Sequence, residues 1–139
     1  MNLVFPDVNV WLVLTIEHVH QKIALSWWQR EQGTIAFCRF TQIGLLRLLT
    51  TSAVMDGKPL TMKQAWNAYD VLAGDERVEF ISEPPAVEGA FRGLSSSAHA
   101  SPKLWADAYL TAFAGECGGS IVTFDRSLAR RCRNSVLLR

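Results

Sequence analysis

The chain has 139 residues and a mass of 15.5 kDa, the size at which one core buries most of the apolar surface. Its 14 Lys+Arg stand against 13 Asp+Glu, a formal charge of +1, so bulk electrostatics excludes nothing and announces no nucleic-acid partner. Cys38, Cys117 and Cys132 form no CxxC and no even set, which excludes a disulfide scaffold and suits core-filling thiols in a reducing, cytoplasmic setting.

Taken in chain order, short apolar runs alternate with longer segments of helical period, the pattern of an α/β domain with a mostly parallel sheet of four to five strands. The first run, Leu3 to Phe5, predicts a strand ending just before Asp7. Asp7 and Asn9 interrupt the apolar N-terminal stretch, which lacks the basic start of a signal peptide. No apolar run reaches membrane-spanning length, so no membrane partner is expected.

From His20 to Glu31, Ile23, Ala24, Trp27 and Trp28 make a helical stripe. A strand is predicted at Thr34 to Phe37, then a helix at Thr41 to Leu49 with Gln42, Leu45, Leu46 and Leu49 on one side. A further helix runs from Thr61 towards Leu72, with Gly74 as its stop. These two apolar helices suggest a cap or a dimer face. Val78 to Phe80 reads as a strand, Glu83-Pro84-Pro85 as a break, and Gly93 to Pro102 as a mobile loop. Leu104 to Ala114 is helical, Ile121 to Thr123 is a strand, Arg126 to Cys132 has helical character, and Val136 to Leu138 closes the chain as a fifth strand. No repeat or linker divides residues 1–139, so one domain is expected.

Three acids carry the chemistry. Asp7 and Asp125 each follow an apolar run, at the strand ends where open α/β sheets bind ligands, although a helix cap explains either one. Thr123 precedes Asp125 by two residues, on the same side of an extended chain. Asp107 is the most informative, because LWADAYLTAFA is apolar on nearly every side and an acid within it is costly to bury unless paired or metal-bound. The competing reading is an acid near a helix start paired with Lys103 or Arg126; Thr111 lies on its face, four residues on. Converging carboxylates repel one another, and a divalent cation removes that penalty. Hard oxygen donors favour Mg²⁺ or Mn²⁺, the ions of phosphodiester hydrolysis.

In order and spacing, DVNVWL at Asp7 to Leu12, EHVHQKIALSWW after it, TQIGLLRLLT at Thr41 to Thr50, LWADAYLTAFA and VTFDRSL resemble the PIN-domain ribonucleases, in particular the VapC-type toxins of toxin–antitoxin modules. The resemblance covers nearly the full length. It implies a PIN-like fold, with Asp7, Asp107 and Asp125 as catalytic metal ligands for Mg²⁺ or Mn²⁺ and with Asn9 and Thr123 in support. It further implies endonucleolytic cleavage of RNA by a metal-activated water, a homodimer, and a VapB-like antitoxin partner. The family often carries Glu where this chain has Gln42, which offers an amide oxygen without charge and suits a supporting role.

Arg126 and Arg130, one helical turn apart after Asp125, are candidate RNA contacts, with Arg39, Arg47, Lys103 and Arg131 as further cations. His18, His20 and His99 have no metal-ligand spacing. Of the five Trp (Trp11, Trp27, Trp28, Trp66 and Trp105), most are expected in the core and some on a partner surface. Two other readings stay open: a PIN-like domain that binds RNA or antitoxin without cleaving, which Gln42 favours, and a small phosphotransfer enzyme with Asp7 as nucleophile. The DVN start and the lack of a late-strand Lys count against the second.

Overall fold

A computed structural model describes residues 2–139. Its elements run β1 (Leu3–Pro6), α1 (Val8–Thr15), α2 (Gln21–Arg30), β2 (Thr34–Phe37), α3 (Arg39–Leu49), α4 (Met62–Ala73), β3 (Val78–Phe80), α5 (Val87–Leu94), α6 (Leu104–Glu116), β4 (Ser120–Thr123), α7 (Arg126–Arg131) and β5 (Ser135–Leu137). All the strand pairings are parallel, in the order β3-β2-β1-β4-β5. The five-stranded parallel sheet expected from the sequence is therefore present, and the architecture is PIN-like.

The central strands β1, β2 and β4 are short and apolar because both of their faces are covered, whereas the edge strands β3 and β5 stay partly exposed. Along β1, Val4 points to one layer and Phe5 to the other; Ile35 and Phe37 divide from Ala36 in the same way, as Val122 does from Ile121. The first layer holds Trp11, Leu45, Leu49 and Tyr69 from α1, α3 and α4, with Trp11 stacked on Phe37 at 3.7 Å. The second layer holds Leu110, Phe113 and Leu128 from α6 and α7, with Phe113 set edge-on to Phe5. Trp11 and Trp27 are core, whereas Trp66 and Trp105 are exposed.

Local chemistry fixes the helix ends. Thr61 and Gln64 exchange side-chain and backbone hydrogen bonds in a capping box at the start of α4, and the Gly74 amide closes its end. α3 begins two residues before the predicted start, because Cys38 and Thr41 make the cap there. One prediction needs correcting: Gly93 does not open a loop, since α5 continues to Leu94. Val87, Ala90 and Phe91 pack its apolar stripe into the second layer. Among the described residues no helix is long and apolar enough to cross a membrane.

The sheet order creates a switch point. After β1 the chain builds outward through β2 and β3 on one side, then returns to lay β4 and β5 on the other. At the carboxyl ends of β1 and β4 the two connections leave in opposite directions and open a crevice. Asp7 follows β1 there, and its amide donates to Val122 O at 2.9 Å, extending the ladder past the strand.

Candidate active site

Asp7 is the buried member of the site, at 9% exposure. Its Oδ1 accepts from the Val10 amide at 3.2 Å and so caps α1, while Oδ2 accepts from the Thr123 hydroxyl. Burial pushes the Asp7 carboxyl above its ordinary range, and the charge of Asp125 adds to that push. The Thr123 hydroxyl and the Val10 and Asn9 amides oppose it without cancelling it.

Thr123 joins two of the acids. Fully buried at the end of β4, it gives its hydroxyl proton to Asp7 and accepts the Asp125 amide at 2.9 Å. Asp125 turns its Oδ1 forward to the Ser127 and Leu128 amides at 2.8 and 3.2 Å, capping α7. Both strand-end acids therefore act as helix caps and as members of the cluster at once. Asp125 Oδ2 takes no hydrogen bond from a described residue.

Asp107 stands in the first turn of α6, half-buried. Burial raises its carboxyl above the ordinary range, Asp125 raises it further, and Arg131 pulls the other way. Its partner is neither Lys103 nor Arg126, as the sequence suggested, but Arg131, whose Nη1 lies 3.3 Å from Oδ2. Asp107 Oδ1 stays unengaged by the described residues. Asp125 thus acts electrostatically on both Asp7 and Asp107. As they stand, no three described His, Cys, Asp or Glu side chains close on a metal-sized space.

The other predicted residues divide. Asn9 is exposed, and its contribution to Asp7 comes through its backbone amide rather than its side chain. Gln42 is buried in the first turns of α3, and its Oε1 accepts from Arg39 Nη1 at 2.5 Å. α3 reaches this edge because Gly44 lies against Val8, the residue after Asp7; a Cβ at Gly44 would come within 2.6 Å of the Val8 side chain. Arg126 and Arg130 are exposed on α7 and engage no acid among the described residues. Two contacts had no sequence signal: the reach of Arg131 to Asp107, and the stacking of the His20 ring on Phe124, between Thr123 and Asp125, at 5.0 Å.

The donor chemistry, three carboxyls, is that of a divalent hard cation: Asp7 is buried, and among the described residues Asp107 Oδ1 and Asp125 Oδ2 take no donor, while the three side chains do not close on an ion as they stand. The thiols are elsewhere: burial pushes Cys132 and Cys117 up, away from thiolate.

The PIN domain family matches residues 4–134. The chain is 38% identical over 131 residues to ribonuclease VapC41 of Mycobacterium tuberculosis, in strain CDC 1551 / Oshkosh and equally in strain ATCC 25618 / H37Rv, covering 89% of this chain and 90% of that protein. The crystal structure of Mycobacterium tuberculosis VapC20, described as a toxin that cleaves the sarcin-ricin loop, superposes with a TM-score of 0.69 over 91% of this chain and 93% of that one, at 15% identity, a likeness of fold. With its parallel sheet, its acids at the β1/β4 edge and these relatives, the chain belongs to the PIN-domain family and is a VapC-type member of it.

Proposed function

We propose that this protein is a metal-dependent endoribonuclease that serves as the toxin of a type II toxin–antitoxin pair in the cytoplasm, hydrolysing RNA phosphodiester bonds at the Asp7/Asp107/Asp125 edge. The observation that carries the reading is the buried Asp7 carboxylate, tied to β4 through Thr123 and loaded with repulsion from Asp125. Identity to a named ribonuclease over nine-tenths of both chains favours cleavage over binding alone. It also disfavours a phosphotransfer enzyme.

Asp7, Asp107 and Asp125 are the residues to hold Mg²⁺ or Mn²⁺. Such an ion, when bound, activates water and stabilises charge on a reacting phosphate. The chain's own contribution is positional. Thr123 fixes Asp7 by its hydroxyl proton and orients the turn carrying Asp125 by accepting its amide. Arg126 and Arg130, exposed on the helix that Asp125 caps, suit contacts to RNA phosphates on either side of the cut.

An antitoxin partner has support from the first layer's outer surface. Ile43, Leu46, Met62, Ala65 and Trp66 line a mostly apolar groove of about 340 Å³ between α3 and α4, and Ile43, Met62 and Trp66 are exposed. A homodimer belongs to the same proposal, by family likeness.

The test is cleavage of total RNA by the purified protein with Mg²⁺, with Mn²⁺ and with EDTA, beside Asp7→Asn. The expected result is cleavage with either ion, abolished by EDTA and by Asp7→Asn. Undiminished cleavage in EDTA or in Asp7→Asn would defeat the reading.

A further inference from the structure

The Glu83-Pro84-Pro85 break and the exposed Trp105 have no part in the acid cluster, yet Glu83 and Trp105 line one cavity with α5 and α6. Its volume is about 530 Å³, inside the range of roughly 300–1,000 Å³ usual for small-ligand sites. The apolar walls are aromatic: Trp105 and Tyr109, one helical turn apart on α6, both stand edge-on to Phe91, with ring centroids 6.1 and 5.5 Å away. Trp105 is 59% exposed, no described ring stacks on its face, and it also lines a second cavity of about 250 Å³. Its indole is open to a flat ring.

Glu83 supplies the polar group. The two prolines after it restrict the backbone that carries it, and the Tyr109 hydroxyl donates to its Oε1 at 2.6 Å, which aims the carboxylate. Burial and the Glu83 carboxylate push the Tyr109 hydroxyl above its ordinary range, so it stays a donor. Glu83 Oε2 takes no hydrogen bond and no ion pair from a described residue; Arg92, also on the cavity wall, is engaged by Glu88 at 3.0 Å.

A carboxylate beside aromatic faces matches a planar ring that presents two neighbouring N–H donors. Of the four RNA bases guanine alone has that edge, N1–H beside the 2-amino group. Adenine and cytosine set one donor beside an acceptor, and uracil sets its one donor between two acceptors. Single-stranded RNA is recognised in this way, by stacking on aromatic side chains and hydrogen bonds to base edges. A guanidinium offers similar paired donors, but Arg92 on the wall repels a second cation and not a neutral base. Trp105 and Asp107 share the first turn of α6, two residues apart and so on nearly opposite sides of the helix.

We infer that this cavity is a guanine subsite for single-stranded RNA, in which Trp105 stacks on the base and Glu83 reads its Watson–Crick edge. A strand cut on the Asp107 side of α6 lays a guanosine on the Trp105 side. The inference rests on the nuclease reading for the RNA, and on the cavity for the base.

The experiment reads binding without cleavage. Fluorescence anisotropy in EDTA follows short uridine oligomers carrying one guanosine, one inosine or neither, with wild type, Glu83→Gln, Trp105→Ala and Trp105→Phe. Circular dichroism checks the fold of each and sedimentation its mass. Wild type is expected to hold the guanosine oligomer about tenfold tighter than the other two, because inosine lacks the 2-amino donor. Glu83→Gln should lose that preference, Trp105→Ala should weaken the guanosine oligomer by about tenfold, and Trp105→Phe should recover part of the loss. Equal binding of the three oligomers by wild type, or a preference that survives Glu83→Gln, would overturn the subsite and leave metal-dependent cleavage standing. Displacement by acetylarginine amide but not by guanosine monophosphate, or a dimer that falls to monomer in Trp105→Ala, would overturn it as well and give the cavity to a protein partner. A guanosine preference in a protein that cleaves no RNA would keep the subsite and defeat the nuclease reading.

Discussion

Two aspartate–arginine pairs in this protein are built to opposite ends. Arg77 meets both oxygens of Asp75, at 3.0 and 2.9 Å, donates to the Trp28 and Glu31 carbonyls at 2.6 and 2.7 Å, and stacks on the Trp28 ring at 4.6 Å. That guanidinium ties the end of α2 to the turn before β3, and the pairing holds Asp75 below the ordinary carboxylate range. Arg131 makes one contact to Asp107, is itself half exposed, and leaves Asp107 above that range. The first pair is closed. The second leaves Asp107 Oδ1 without a partner among the described residues.

Function should separate the two most widely. Asp7→Asn and Asp107→Asn are expected to lower RNA cleavage by about a hundredfold or more, the scale of losing a group that holds charge at the reacting phosphate. Asp75→Asn should leave the rate unchanged. Comparable losses in all three, measured at one metal concentration on folded protein, would erase the distinction.

Stability should separate them in reverse. Arg77→Ala removes hydrogen bonds to two carbonyls and a paired acid, and is expected to cost roughly 1–3 kcal/mol in denaturant unfolding. Arg131→Ala breaks a single half-exposed pair, and its metal-free stability should stay within about 0.5 kcal/mol of wild type. A large loss in Arg131→Ala would make that arginine a structural clamp as well.

The smallest effect is in the acid limb. Asp75 is depressed in the folded state, so its contribution is present above the ordinary value of 3.8 and disappears as pH falls through the lowered one. In Arg77→Ala that part of the decline in stability should vanish, and in Arg131→Ala it should persist. Thermal unfolding between pH 5 and about pH 2 reads the difference.

The sequence showed the β-strands well: Thr34 to Phe37 is a short apolar run sealed on both faces, and the edge strand Val78 to Phe80, with Glu79 and Phe80 exposed, is matched residue for residue all the same. Helices with one apolar stripe were equally visible. α1 was not, since Val10 to Val13 are all buried and leave no polar face to mark a period. α5 was hidden differently: Gly89 and Gly93 dilute its helical signal, although Val87, Ala90, Phe91 and Leu94 keep the spacing. In the candidate site, the acids stood out by being charged in apolar surroundings. What engages them did not. Arg131 is 24 residues from Asp107 and Thr123 is 116 from Asp7, contacts that only the folded topology produces.

That last separation has a consequence for when the protein acquires its chemistry. β1 is translated before β4, but Asp7 is not finished until Thr123 has been translated and β4 has paired beside it. Until then the chain holds Asp7 and, once α6 is made, Asp107, but neither the Thr123 hydroxyl nor Asp125. The Asp7–Thr123–Asp125 arrangement is thus complete only after β4 has joined the sheet, and a nascent chain short of that strand lacks it.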